Sequence, residues 1–443
     1  MTLASAPVAP LGAHDLLVLL LQLCSLLGLA VMLGKVATRL GMSAVVGELC
    51  AGVLLGPSVL NHLAPAVSGW LFPADPSQFH LLDAVGQVGL LLLVGYTGLH
   101  IDLGFIRRRA GSATRISVAG LVLPVGLGIA AGYVLPTALI PRASERLTFA
   151  LFLGVAMGVS AIPVLAKTLL DLNLLHRNLG QITLCAVMID DIVGWLMLSV
   201  VTVMATGRLN SGAIVLSIGY VVLALAAASL IRPGIRLLLT AVRSKEQDGY
   251  SVAMLALLLL LGAAGTQALG LEAAFGAFIT GIAIKSSGAA PPAKVEPLRT
   301  GLLAVLVPVF FATAGLRMDL TALVQPAVLL TGLGILAAAI AGKFLGAYVG
   351  ARLSRFSHWE GLALGAGMNS RGVIEVIIAT VGLRLNILGP EMYTIIVLVA
   401  IVTSTMAPPL LRATMRRVEQ TQEEKLREQV NLPPTAPEAA SPA

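Results

Sequence analysis

The chain has 443 residues, 57% of them hydrophobic and only 12% charged, with a mean hydropathy of +0.93 and a formal net charge of +7. A soluble domain carries roughly a quarter charged residues, so an ordinary soluble fold is excluded, and the positive excess, spread along loops, points to membrane topology rather than nucleic acid. Cys24, Cys50 and Cys185 lie far apart in apolar segments, which excludes a disulfide framework and a metal-ligand spacing.

Residues 1–14 contain no Lys or Arg and so lack the charged region of a secretory signal. The first apolar stretch is therefore read as a true span. Thirteen apolar segments follow one another, at about 20 residues per span: 15–35, 43–60, 81–99, 113–136, 147–170, 179–206, 211–231, 249–269, 271–287, 301–316, 325–351, 359–383 and 390–411. They define an all-α polytopic membrane protein with an N-terminal segment over 1–14, a membrane domain over 15–412 and a short tail over 413–443. The tail has a charged piece, 416–429, and a Pro/Ala-rich end, 432–443. Of the 29 Lys and Arg residues, 22 fall in one set of alternating loops and the tail, whereas Arg142, Arg146, Arg208, Arg317 and Arg384 fall in the other, and Lys343 and Arg371 lie within spans. The positive-inside rule then sets the N-terminus outside and the C-terminus in the cytoplasm of a cell (inner) membrane.

The third span ends TGLHIDL (97–103) and the tenth AGLRMDL (314–320), an offset of 217 residues. Seven spans separate them, an odd number, so the two copies cross in opposite directions and form an inverted repeat, as in many secondary transporters. Gly47–Gly52 in span 2 and Gly270–Gly276 in span 9 extend the pairing, which sets span 5 against span 12 and span 6 against span 13.

Six ionisable residues lie mid-span: Glu48, Asp190, Asp191, Lys343, Arg371 and Glu375. Each costs about 2.5 to 3.5 kcal/mol on insertion scales and is a functional candidate by default. Asp190 and Asp191 point about 100° apart on a helix, so they divide the work. One carboxylate can face a water-filled cavity and hold a cation or a proton while the other pairs with a buried base. Lys343 is the natural counter-charge. Span 5 carries Ser160 and Pro163, which removes a backbone donor, and span 12 carries Gly365 to Gly372 with Asn369 and Ser370 as oxygen donors. Arg371 and Glu375 stand one turn apart and can pair. Both spans are expected to break, and unwound backbone at membrane depth is tolerated where it lines a cavity or is buried in protein. The six histidines fall near span ends, with His100 and His176 the candidates for pH sensing.

These segments resemble the monovalent cation:proton antiporter superfamily, in the branch of bacterial and plant cation/proton exchangers and Kef-type systems. The matching stretches are VGELCAGVLLGPS (46–58), SAIPVLAK (160–167), Asp190-Asp191, PVFFATAGL (308–316), Gly342-Lys343 and NSRGVIE (369–375). The resemblance implies a transmembrane exchanger domain over 15–412, in which a core with two broken crossing helices (spans 5 and 12) moves against a dimerisation domain, in a homodimer. It implies that Asp191 is the exchanged carboxylate, binding a monovalent cation transiently, and that Asp190 partners Lys343. Ser160, Pro163, Asn369, Ser370, Arg371, Glu375 and Glu48 would support the cavity and the breaks. The paired-Asp form implies electrogenic exchange. Na+ or K+ and H+ are then cargo, with no cofactor, no enzymatic activity, no nucleic acid partner and no nucleotide-binding regulatory domain in this chain. A proton-uncoupled cation channel and an organic-solute symporter of similar fold are the competing readings; an intramembrane aspartyl protease is not, since its two acids must converge from different helices. Neither a phosphate-cradling glycine loop nor a His-rich metal pattern appears in the sequence.

Overall fold

The computed structural model describes residues 11–425 except 74, 100, 102, 143, 161, 175–176, 207–210, 242–247 and 290–291. Most of the expected N-terminal segment and the Pro/Ala-rich end lie outside the described residues, as do His100 and His176.

Among the described residues all regular structure is helical. In order, the helices are α1 (Ala13–Arg39), α2 (Ala44–Leu55), α3 (Leu60–Leu63), α4 (Pro65–Leu71), α5 (Pro76–Leu99), α6 (Leu103–Val134), α7 (Arg146–Gly158), α8 (Ile162–Asp171), α9 (Asn178–Thr206) and α10 (Ser211–Leu230). They continue as α11 (Arg232–Ala241), α12 (Asp248–Ala268), α13 (Ala273–Ser287), α14 (Pro292–Gly301), α15 (Val307–Leu316), α16 (Pro326–Leu353), α17 (His358–Met368), α18 (Val373–Arg384) and α19 (Pro390–Met415). Local chemistry sets their ends. Pro326 and Pro390 open α16 and α19 in the first turn, where a missing N–H costs nothing. Ser357 and Glu360 close a capping box on α17, and Gly288 ends α13 in the left-handed conformation at φ +70°.

Every expected span falls on helix, and by length and composition alone fewer than thirteen helical stretches among the described residues are long enough to cross without a break. Ten stretches among the described residues are long and apolar enough to cross a bilayer, and eleven if α17 and α18 count as one bent span. The other two expected spans are shorter apolar helices: 147–170 stops at Gly158 and resumes as α8, and α13 has only 15 residues, about 22 Å at 1.5 Å per residue. Two boundaries also move. Span 4 extends back to Leu103, since Pro124 is its only interior breaker. Span 10 starts at Lys294 and passes through a π-helical turn at 302–306; Pro308, which lacks an N–H and crowds the carbonyl four residues back, accounts for that loosening. Large apolar side chains on α1, α6, α10 and α16, among them Leu20, Val122, Val222 and Leu330, face outward, as lipid contact requires.

The packing is reciprocal between the two halves. α2 lies on α15 at Gly52 and Gly315, while α13 lies on α5 at Gly281 and Gly98; a Cβ on any of the four would overlap backbone of the facing helix. Each partner of the repeated motif thus packs on a glycine-bearing helix of the other half. α6 likewise crosses α16, where Gly342, Gly346 and Gly350 form a small-residue stripe against Pro124, Ala119–Gly120 and Arg115–Ile116. Close approach without side chains is how helices associate in a lipid solvent. α6 also packs on α7, and α16 on α17, so each crossing helix carries one interrupted helix with it.

Candidate functional site

The site forms where α6, α9 and α16 meet the interruptions after α7 and α17. The α6–α16 glycine crossing sets Ser117 and Lys343 toward the middle of α9, and the two interruptions touch one another: Ser160 Oγ donates to the carbonyl of Met368 at 2.8 Å. Asp190, Asp191, Lys343, Asn369, Ser370 and Arg371 are all fully buried, with no measurable exposure.

Asp190 is surrounded by donors. Lys343 Nζ lies 2.5 Å from its Oδ2, and Ser117 Oγ donates to Oδ1 at 2.5 Å. Ser160 Oγ lies 3.2 Å from Oδ2, within reach of both that carboxylate and Met368. Lys343 also donates to the carbonyl of Gly158, the last residue of α7 and one of the acceptors that a helix end leaves open. A buried ion pair survives only when its remaining hydrogen-bond capacity is met, and here the interrupted helix meets it.

Asp191, one residue on, has the opposite surroundings. Both of its oxygens are buried and neither accepts a hydrogen bond among the described residues. The Lys343 charge already answers that of Asp190, so an ionised Asp191 leaves one negative charge uncompensated. In the second interruption, Asn369 Oδ1 and Nδ2 and Ser370 Oγ are likewise buried without partners among the described residues. Other buried polar atoms, Arg371 Nε and Glu375 Oε2 among them, also lack partners; what sets Asp191 apart is its place beside a pair whose charges already cancel.

A profile of the transmembrane sodium/hydrogen exchanger family matches residues 26–417. The chain belongs to the sodium/hydrogen exchanger family. Among the exchanger's relatives, the Na(+)/H(+) antiporter NhaS4 of Synechocystis sp. is 31% identical, over 90% of this chain and 98% of its own length. Cation/H(+) antiporter 17 of Arabidopsis thaliana is 30% identical over 91% of this chain and 49% of its own, so the exchanger spans about half of that plant relative. The sodium proton antiporter MjNhaP1 from Methanocaldococcus jannaschii shares the fold with a TM-score of 0.62 at 15% identity, over 90% of this chain and 97% of that one.

The remaining expected residues of the exchanger divide between the site and elsewhere. Arg371 Nη1 pairs with Glu375 Oε1 at 2.7 Å as the spacing suggested, and its Nη2 donates to the carbonyl of Ala339 at 2.9 Å. Ala339 is one turn before Lys343 on α16. Ser404 of α19 donates to the Arg371 carbonyl, which fixes the interruption from the other side. Gly372 sits at φ +142° and ψ −95°, a conformation essentially reserved for glycine. α17 and α18 are bent by 44° about it. Pro163 lies in the first turn of α8, where proline is tolerated, so the interruption precedes it. Glu48 is buried, but it opens on a separate cavity among α1, α2 and the π turn, none of whose lining residues belongs to α6–α9 or α16–α19.

Ser117 at the site, and two buried polar residues further along α9, were not singled out by the sequence. Ser117 is one hydroxyl among many in apolar spans. Trp195 and Ser199 lie one and two turns beyond Asp191 on its own face of α9, with Nε1 and Oγ buried and unpartnered; spacing from Asp191 was the available clue. The ion pairs Arg317–Asp83 at 2.5 Å and Arg384–Glu272 at 2.7 Å join residues 234 and 112 positions apart, which no local pattern reports. Among the described residues no group of three or more His, Cys, Asp or Glu forms a metal cluster.

Proposed function

We propose that this exchanger moves a monovalent cation, Na+ or K+, against protons by alternating access, with Asp191 as the group for which both ions compete. The observation that carries the proposal is a fully buried carboxylate with both oxygens free, next to an ion pair whose charges already cancel. An uncompensated charge at this depth is costly, so Asp191 crosses the membrane either protonated or holding a cation, and a bare carboxylate is disfavoured in transit. That restriction is the coupling. Asn369 and Ser370 complete the cation's oxygen shell, and Arg371 and Glu375 hold the second interruption rigid. The names of the relatives, sodium/proton and general cation/proton antiporters, support the class of cargo.

In this reading the exchange is electrogenic. A cation entering beside Asp190 weakens the attraction between Asp190 and Lys343, the lysine takes part in the proton traffic, and more protons than cations move per cycle. The α6–α9 and α16–α19 elements form the moving core. The remaining helices form a scaffold through which two copies dimerise in an inner membrane, with the N-terminus outside and the C-terminus cytoplasmic.

Proteoliposomes with an internal pH dye, driven by Na+ or K+ gradients, test this. Asp191→Asn is isosteric and keeps the fold, and it is expected to abolish cation-driven proton movement. Retained exchange in that variant would remove Asp191 from the mechanism, and cation flux without proton movement in the unmodified protein would replace antiport by a channel.

A further inference from the structure

The cavity that receives Glu48 has a volume of about 300 Å³ and is lined by Gly34, Lys35, Thr38, Glu48, Leu303 and Pro308 among others. Glu48 is only 7% exposed, and its Oε2 is buried with no hydrogen-bond partner. Lys35 lines the same cavity, is exposed, and makes no ion pair with Glu48. One wall is apolar and continues outward through exposed Val31, Leu303 and Val305.

The depth of the cavity identifies what fits it. Glu48 follows the start of α2 by four residues, about 6 Å along the axis, and α1 ends at Arg39 beside it. The headgroup zone of a bilayer is about 5 to 8 Å deep on each side. With the facing ends of α1 and α2 at the bilayer surface, as their reading as spans implies, the buried carboxylate lies near the boundary between headgroups and hydrocarbon, with a lysine at the rim and an apolar exit toward the acyl region. An ammonium and a phosphate on one short tether match this order of charges. A primary ammonium supplies N–H donors to the free carboxylate oxygen, whereas a trimethylammonium supplies charge without a donor.

We propose that this cavity is a headgroup site for an aminophospholipid of the phosphatidylethanolamine class, with the ammonium on Glu48, the phosphate at Lys35 and the acyl chains along Val31, Leu303 and Val305. The site is independent of the ion-exchange site and stands or falls separately from the role of Asp191.

Native mass spectrometry of the full chain in mild detergent, titrated with lipids of identical acyl chains, tests it. Phosphatidylethanolamine is expected to be retained about tenfold better than phosphatidylcholine or phosphatidylglycerol, with stepwise loss along the N-methyl series. Glu48→Gln should erase the preference for ethanolamine over choline. Lys35→Ala should weaken the ethanolamine and glycerol lipids alike. Gly34→Val guards against a folding artefact in Glu48→Gln: an added Cβ at Gly34 meets only contacts of 3.6 Å or more, and the side chain should block the cavity with Glu48 intact. Equal retention of choline and ethanolamine lipids overturns the proposal, as does an ethanolamine preference surviving Glu48→Gln. So does amine-specific cross-linking of Lys35 between two copies with no lipid retained, which would make the cavity a protein interface.

Discussion

Between Gly158 and Ile162 the chain commits its free polar groups to a lysine on another helix, and between Met368 and Val373 it does not. In the first interruption the Gly158 carbonyl and the Ser160 hydroxyl surround the Lys343–Asp190 pair. In the second, Arg371 and Glu375 close on each other within one turn, and Asn369 and Ser370 keep their polar atoms free. The two breaks thus differ: one surrounds a fixed, neutralised charge, the other leaves buried polar atoms without partners. Asp190 and Asp191, adjacent on α9, differ in the same way: Asp190 is surrounded by donors, and neither oxygen of Asp191 has one among the described residues.

The sharpest way to break the comparison is to empty the first interruption of its charge. Lys343→Ala leaves Asp190 fully buried with no cation, and removing one partner of a buried pair costs about 3 to 5 kcal/mol. A large fall in thermal stability in detergent is expected, together with loss of electrogenic current. Replacing both members by apolar residues, Asp190→Leu with Lys343→Met, should recover most of the stability and none of the current. A Lys343→Ala protein that melts normally would show that the pair is not what holds α9 against α16.

Two serines sharpen it further, because the same substitution should act in opposite ways in the two regions. Ser117→Ala removes a hydrogen bond to a buried charged carboxylate, worth about 1.5 to 3 kcal/mol. Ser370→Ala removes a hydroxyl that has no partner, so stability should change by no more than about 0.5 kcal/mol, while the cation concentration giving half-maximal exchange rises. Equal destabilisation by both would mean that Ser370 is bonded and not waiting for a ligand.

Gly372 tests whether the second interruption needs its backbone shape. Alanine there must adopt φ +142°, with its Cβ 2.9 Å from Ser404 Oγ and 3.1 Å from Val164. A cost of about 1 to 3 kcal/mol is expected for the conformation. Slowed turnover at unchanged cation affinity would place Gly372 in the moving hinge; reduced affinity would place it in the ligand geometry.

Most of the core of this site was legible in the sequence, because an apolar chain makes each mid-span charge conspicuous. Arg371 and Glu375 are paired as their spacing suggested, and Lys343 meets Asp190, the aspartate that the family resemblance picked out; the 217-residue repeat marked α2, α5, α13 and α15 but not that α2 packs on α15 and α13 on α5. Glu48 is buried as a mid-span charge should be, but it lines a cavity whose other residues belong to α1, α2 and the segment around the π turn, a placement that residue spacing cannot report. Ser117 was invisible because a lone hydroxyl in a membrane helix satisfies itself locally as often as it serves a site, and Trp195 and Ser199 were marked only by their spacing from Asp191. Hydropathy marked thirteen apolar stretches and Pro163 and the Gly365–Gly372 run marked where two of them break, but it could not show that α13 stops at 15 residues.

Each interrupted helix is also anchored beyond its second half by an arginine, and here too the two regions differ. Arg384, the last residue of α18, meets Glu272 at the head of α13. Arg177, after α8, donates to the carbonyls of Val418 and Glu419 and lies 3.2 Å from Glu424, which also accepts from the backbone N–H groups of Asn178 and Thr421. Burial works to raise the Glu424 carboxyl, but the Thr421 and Asn178 N–H donors and the Arg177 charge outweigh it and hold it below the ordinary glutamate value of 4.5. A carboxyl depressed by folding contributes stability that is complete above its unfolded value and is lost as the pH falls through the folded one. The tail clasp should therefore stay closed from neutral pH down to about 4.5 and open only beneath it, so it cannot serve as a switch near neutrality. Hydrogen exchange over residues 416–425 reads this directly: protection at pH 7 and pH 5 should match, and Glu424→Gln at pH 7 should show the faster exchange of the open clasp. Release between pH 7 and 5 in the unmodified protein would instead assign the titration to another group and make the tail a regulator in the physiological range.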